Sequence, residues 1–404
     1  MSSPGGAVQA SSPAVRYTRT LTALAIGTLL GTSIAAAAPE PAHAAVGHVV
    51  NAGSVRAVSN SYLVVLDEGA RPDVAAKYGA RVQQRYDSAL NGMLVHASAE
   101  QARRLAADPS VRLVEQNTRV HRPKRHRTVS QSEPTCGLDR IDQRTLPLDG
   151  SYSYPSEAGS DVDVYLVDSG IDYDHPDYAP RAKPGFDAFG GDGSDELGNG
   201  TFMAGIIGGT TYGVAKKTNL VSVKVLDAAG GGTIAGVLAG IDWVTEHASG
   251  PSVANFVIGL PPDDALDAAV RKSIASGVTY VLEAGADTDD VDNASPARVR
   301  EGITVGSSDC QDAVATFSNY GTGLDLYAPG VDITSDRPGG GTTTDSGTTV
   351  SAAHVSGAAA IYLSRHPKAA PHEVAGALDD AAVDGVLTGV PSDGTPNKLL
   401  QIAR

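Results

Sequence analysis

The sequence predicts an α/β protein, a parallel sheet covered by helices on both faces and preceded by a smaller α+β domain. Three observations carry this. Between residues 162 and 305, short apolar runs alternate with helix-length amphipathic stretches, the pattern of a parallel sheet with crossover helices. Between residues 61 and 122, shorter elements follow the order strand-helix-strand-strand-helix-strand, a split βαβ unit. The chain is 404 residues long, with 41% hydrophobic residues and 46 glycines, enough for one large core with tight turns plus a second small one.

Taken in order, the chain opens with Arg16 and Arg19 before an apolar run, Leu21 to Ala38, followed by Ala42-His43-Ala44. A basic start, an apolar stretch and an A-x-A site are expected of a cleaved secretory signal covering residues 1–44. No other apolar run is long enough to span a membrane. The expectation is therefore an exported, monomeric, extracellular protein with no membrane partner once the signal is removed.

Residues 45–128 form the small domain and a linker. Tyr62 to Leu66 reads as a strand, and Asp73 to Tyr78 as a helical turn stopped by Gly79. Leu90 to Ala97 reads as a pair of strand segments around Asn91-Gly92. Ser98 with Gln101 makes a capping box for a helix ending before Pro109, and Val111 to Val114 is a last strand. The segment RVHRPKRHR, residues 119–127, is a basic, protease-accessible linker.

Residues 129–404 carry the larger domain. Strands are expected at Val162 to Val167, Leu220 to Leu226, Val253 to Ile258, Val278 to Leu282 and Ile303 to Val305. The stripe Ile234, Val237, Leu238, Ile241 and Val244 predicts a helix over 233–247, and Asp263 caps another that Gly277 closes. Charge separates the two parts: 15 Lys/Arg against 8 Asp/Glu in residues 1–128, and 16 against 38 in the rest. An acidic main body argues against nucleic acid as a partner.

The stretch SGTTVSAAHVSG, Ser346 to Gly357, runs from a small-residue loop into an apolar helix. A hydroxyl at such a corner is held rigidly beside free backbone N–H groups, where a nucleophile is wanted. Two earlier segments accompany it, VYLVDSGI with Asp168 at a strand end, and GNGTFMAGIIGGTTYGVAKK from Gly198. Together with SVKVLD, GVLAGIDWV and ATFSNYG they resemble the subtilisin superfamily, its proteinase K-like branch in particular, over residues 136–404. Likewise ALNGMLVHASAEQARRLAADPSVRLVEQ resembles the inhibitor-type propeptide of that family. The resemblance implies a subtilisin-like central parallel sheet behind a ferredoxin-like propeptide domain whose tail lies in the cleft.

The departures from the family pattern fall on the reactive positions. Asp168 stands at the family aspartate, but the family histidine is Asn199, the next histidine Phe202, the serine Thr349 and the oxyanion asparagine Ala286. An amide has no basic lone pair near neutral pH and cannot shuttle the hydroxyl proton. In subtilisin, losing base or nucleophile alone costs about 10⁶ in turnover, and losing the oxyanion donor about 10²–10³. Thr349 is far from any N-terminal amine, so it cannot be activated as N-terminal threonine nucleophiles are. His175, His247 and His354 are the histidines weighed as replacements.

By the same resemblance, Gly230, Gly231 and Gly232 on one side and Val257, Ile258 and Gly259 on the other sandwich an extended peptide by strand addition. Glu283 stands where the family places a small residue in the main specificity pocket, filling it, selecting a basic side chain, or standing as a salt-bridged structural carboxylate. No cofactor is required; a structural calcium at Asp325 is the ion the family implies. The family's paired cysteines fall at Glu196, Ala228, Asp292 and Gly323, and whether Cys136 and Cys310 pair is open. The reading is a subtilisin-like homologue, inactive at its triad, that binds peptide segments or its own propeptide. Its rivals are an active serine endopeptidase with a rearranged site and an inhibitor or decoy acting through the propeptide.

Overall fold

The computed structural model describes residues 47–54, 57–70, 73–119 and 127–402. The signal segment and linker residues 120–126 lie outside them. The chain divides into two compact units, Met1–Pro123 and Lys124–Arg404.

The first unit contains β1 (Ala57–Leu66), α1 (Val74–Lys77), β2 (Arg81–Tyr86), β3 (Gly92–His96), α2 (Ala99–Ala106) and β4 (Val111–Thr118). Its strands form one antiparallel sheet in the order β2-β3-β1-β4. Alternating Tyr62, Val64 and Leu66 meet Met93, Val95, Leu105 and Val114 in its core. The capping box forms as expected: Ser98 Oγ accepts the Gln101 N–H at 3.2 Å, and Gln101 Oε1 accepts the Ser98 N–H at 2.7 Å. One expectation is corrected. The strand pair around Asn91-Gly92 is a single strand, β3, lying between β1 and β2, and the strand not expected is the earlier β2. That segment, RVQQRY, keeps no residue buried, so no apolar alternation marks it.

The second unit runs β5 (Thr128–Ser132), α3 (Cys136–Ile141), β6 (Ser151–Pro155), β7 (Asp163–Asp168), β8 (Ala182–Asp187), α4 (Asn199–Gly208), β9 (Asn219–Lys224), α5 (Ile234–His247), β10 (Ser252–Phe256), α6 (Asp264–Ala275) and β11 (Thr279–Glu283). It continues through β12 (Ile303–Ser308), β13 (Leu326–Pro329), β14 (Ile333–Asp336), β15 (Thr342–Asp345), α7 (Thr348–Arg365), α8 (Pro371–Ala381), β16 (Val383–Asp384) and β17 (Lys398–Leu399). Thr128, which the sequence places at the end of the linker, opens β5.

The main sheet has the order β16-β17-β13-β12-β11-β10-β7-β9-β8. All its pairings are parallel except that of the two short edge strands β16 and β17. Successive side chains take opposite faces. Val164, Leu166, Val253 and Val281 join one core with Ile206 and Ile207 of α4 and Val350, Val355 and Ile361 of α7. Tyr165, Val167, Phe256, Tyr280 and Leu282 join the other with Val237, Ile241 and Val244 of α5 and Leu266, Val270 and Ile274 of α6. Strand crossovers thus leave Asp168, Lys224 and Glu283 as the last residues of β7, β9 and β11, at the carboxyl edge where such sheets present their functional loops. Cys136 and Cys310 form a disulfide, closing 174 residues of chain.

Candidate functional site

Asp168 is fully buried at the end of β7. Its neighbour in space is Asn199, the first residue of α4. Asn199 Nδ2 donates to both carboxylate oxygens, at 2.9 Å to Oδ1 and 2.8 Å to Oδ2. The Ser169 N–H adds a third bond at 2.6 Å. Burial pushes the Asp168 carboxyl up to about 7, and the amide bonds from Asn199 and Ser169 offset part of that rise.

The start of α4 is fixed by the loop before it. Gly198, at φ 106°, turns the chain into the helix. Asp195 accepts the N–H groups of Thr201 at 2.8 Å and Gly198 at 2.8 Å, a carboxylate on the free donors of a helix start. It also accepts the Ser169 hydroxyl at 2.8 Å, which in turn accepts the Gly200 N–H at 3.0 Å. A Cβ on Gly200 would lie 1.9 Å from Gly170 O, so only glycine lets α4 approach the end of β7 this closely. Phe202 is buried, filling its place with apolar surface.

Thr349 is the second residue of α7 and half-buried. Among the described residues, no side chain hydrogen-bonds its hydroxyl. None of the three histidines weighed as replacements reaches Asp168 or Thr349. His354 is 1% exposed, bonded to Val350 O at 3.0 Å, with its ring against Gly137; burial lowers its pKa to about 4. His175 stacks on Tyr178 with its Nδ1 3.6 Å from Asp336. His247 stacks on Trp243 at the end of α5.

The adjoining loop holds the rest. Thr348 Oγ1 donates to Glu283 Oε2 at 2.9 Å and accepts the Gly285 N–H at 3.2 Å, tying the start of α7 to the end of β11. Desolvation raises the Glu283 carboxyl to about 7, against the lowering pull of the Thr348 hydroxyl. Glu283, Ala286, Gly259 and Asn319 line a cavity of about 370 Å³. Buried Asn319 organises this loop: Nδ2 donates to Ala284 O at 2.9 Å, and Oδ1 accepts the Asp287 and Asp289 N–H groups at 3.0 and 2.9 Å. These bonds tie the Asn319 amide to the loop that carries Ala286.

The two segments expected to pair with a peptide are both outside regular strands. Val257, Ile258 and Gly259 leave β10 as extended chain before Leu260 bridges to Ser295. On the other side the three glycines form a closed turn on Asp227, with Gly230 N donating to Asp227 O at 3.0 Å and Asp227 N to Gly231 O at 2.8 Å. Asp227 Oδ1 accepts the Gly231 N–H at 2.9 Å. The turn therefore consumes the Gly230 and Gly231 amides.

Asp325 is apart from the groove. Its Oδ2 accepts the Thr304 N–H at 2.7 Å, and it lines a separate cavity with Arg300, Glu301, Gly302 and Lys368. Among the described residues no group of three or more His, Cys, Asp or Glu is placed to hold a metal. Two carboxylates, Asp325 and Glu301, beside two cationic side chains do not by themselves make a hard-cation cage.

Sequence reasoning missed four participants. Thr348 and Asn319 sit inside quoted motifs but act through contacts that only the fold brings about. Asp195 is a loop carboxylate whose role depends on the helix start beside it. Lys224, 4% exposed, donates to Ser169 O at 2.6 Å and braces the loop after Asp168.

A buried carboxylate at a parallel-strand end, a helix start bonded to it and a hydroxyl at the start of a second buried helix thus stand on one α/β scaffold. Comparison with known proteins narrows this. The Subtilase family profile matches residues 159–400, and Peptidase inhibitor I9 matches residues 50–123. The chain is 45% identical over 326 residues to the extracellular serine proteinase of Thermus sp. (strain Rt41A), covering 80% of this chain and 78% of that one. It is 42% identical over 326 residues to alkaline serine exoprotease A of Vibrio alginolyticus, covering 80% of this chain but 60% of that relative's length. The crystal structure of a cold adapted subtilisin-like serine proteinase matches with TM-score 0.66 at 44% identity, covering 68% of this chain and all of that one. The chain belongs to the subtilase family, with an I9-type inhibitor domain ahead of its peptidase-like unit.

Proposed function

We propose that this chain is an exported subtilase homologue that holds extended peptide segments in its groove without turning them over. The observation that carries the reading is at Asn199. An amide occupies the base position and gives its N–H donors to Asp168, while no described histidine reaches Thr349. Attack by a threonine hydroxyl needs a group that takes its proton, and an amide is not one. The absent side-chain donor at Ala286 weakens stabilisation of a tetrahedral oxyanion further. Export is supported by the signal-like N-terminus and by a relative named as extracellular. The chain's own inhibitor-type domain is the first peptide partner to consider, and the acidic main body leaves nucleic acid out.

The competing reading is an active serine endopeptidase. It is favoured by relatives named as proteases at 42–45% identity. The experiment is a peptide-library assay on purified protein together with a serine-directed phosphonate probe. The expected result is binding without turnover or labelling. Turnover with probe attached at Thr349 overturns the proposal.

A further inference from the structure

The cavity beside Ala286 has a distinctive wall. Four of its lining residues are carboxylates, Glu283, Asp287, Asp289 and Asp290, and none is Lys, Arg or His. Among the described residues, no cation pairs with any of the four. Their bonds are to neutral donors: Thr348 Oγ1 to Glu283, the Asp290 N–H and Asn293 Nδ2 to Asp289 Oδ1, and the Asp292 N–H to Asp290 Oδ1. Glu283 ends β11, flanked on both sides by the parallel neighbours β10 and β12, so its backbone is rigidly placed. One carboxylate oxygen is held by Thr348, and the other lies toward Gly259, the edge of the peptide groove, 3.6 Å from where a Cβ there would stand.

A partly enclosed cavity of about 370 Å³ is of side-chain-binding size. Glu283 is desolvated there, while half-buried Asp290 and exposed Asp287 and Asp289 add negative charge around it with no counter-charge. An apolar side chain entering would worsen that desolvation, and a cationic one would relieve it. We propose that the groove selects peptide segments that place a lysine or arginine side chain in this cavity, with Glu283 at its floor and the three aspartates along its wall. This rests on the peptide-groove reading above. The chain carries such a segment itself, RVHRPKRHR at residues 119–127. The class is therefore a basic peptide, recognised by charge-assisted hydrogen bonds to one anchoring side chain.

The test uses the full chain and a series of otherwise identical capped alanine tetrapeptides with Arg, Lys, Leu, Phe or Glu at the anchoring position, titrated by calorimetry at low and at physiological salt. The expected result is that Arg and Lys bind about tenfold more tightly than Leu, that Glu binds worst, and that salt narrows the gap. Glu283→Gln keeps an acceptor for Thr348 and removes the charge; Asp289→Asn does so at the wall without touching Thr348. Each is expected to reduce the Arg-over-Leu preference several-fold, by weakening Arg binding and easing the entry of Leu. Equal binding of Arg and Leu peptides by the wild type, or a preference that survives both substitutions, overturns the basic-pocket inference and leaves the groove reading standing. Binding of none of the peptides overturns the groove reading itself, and this inference with it.

Discussion

Position 199 decides the chemistry, and its surroundings are prepared for something else. Gly198 turns, Gly200 lies against Gly170, and Asp195 caps the helix start, whichever side chain position 199 carries. The combination Asn199→His, Thr349→Ser and Ala286→Asn is therefore expected to bring hydrolysis of a chromogenic peptide amide above background. Asn199→His alone is expected to stay within about tenfold of background, because removal of one catalytic member costs nearly as much as removal of all. A folded triple variant with no activity would place the fault in the groove, with Glu283 and its bond to Thr348 examined first. The candidate positions could be named from the sequence because they fall within long matching motifs. Their contacts could not. Thr348 looks like a small corner residue, and Asp287, Asp289 and Asp290 look like a solvated turn until the fold gathers them around one cavity.

At the scale of elements, regular apolar strands were the legible part and polar edges were not. The strands from β7 to β12 show as apolar runs because both faces are covered. In contrast β8, AKPGFD, contains proline and glycine and lies at the sheet edge, and β5, TVSQS, lacks apolar alternation. β5 nevertheless has a consequence for processing. It pairs with β6 from Thr128↔Pro155 to Ser132↔Ser151, and Arg127 O accepts the Ser156 N–H at 2.7 Å. The bond between Arg127 and Thr128 is thus held in paired backbone, which proteases cleave slowly. Brief trypsin treatment is expected to cut after Arg119, Lys124 or Arg125, sparing Arg122, which precedes Pro123. Mass spectrometry of the large fragment checks this. A dominant product beginning at Thr128 would mean that the pairing opens readily.

In the larger unit, the core that α4 and α7 share with the sheet carries a covalent link that the sequence left open, since Cys136 and Cys310 both pack in it. Two cysteines alone do not say that they meet, since α3 and the loop after β12 are far apart in the chain. The bridge closes a loop longer than 100 residues, and by loop-closure entropy it contributes about 3–5 kcal/mol. Beside it, buried Arg140 pairs with Asp312 at 2.5 Å, so the same junction also carries a desolvated ion pair. Cys136→Ser with Cys310→Ser is expected to lower the unfolding free energy in urea by about that amount, measured with and without reductant for the unsubstituted protein. Equal stability of the two forms would show that the ion pair and packing hold the junction unaided.

The bridge also gives the chain a topology. Asp168, Asn199, the glycine turn on Asp227, Val257 to Gly259, Glu283 and Ala286 all lie inside the ring that Cys136 and Cys310 close, and Thr349 lies on the tail beyond it. A single backbone break inside the ring opens a circle into a line, and every fragment stays attached. A single break between residues 311 and 347 severs the tail, leaving α7 and its hydroxyl joined to the rest by noncovalent packing alone. In a setting rich in proteases, the groove is thus built on the part of the chain where one cut releases nothing.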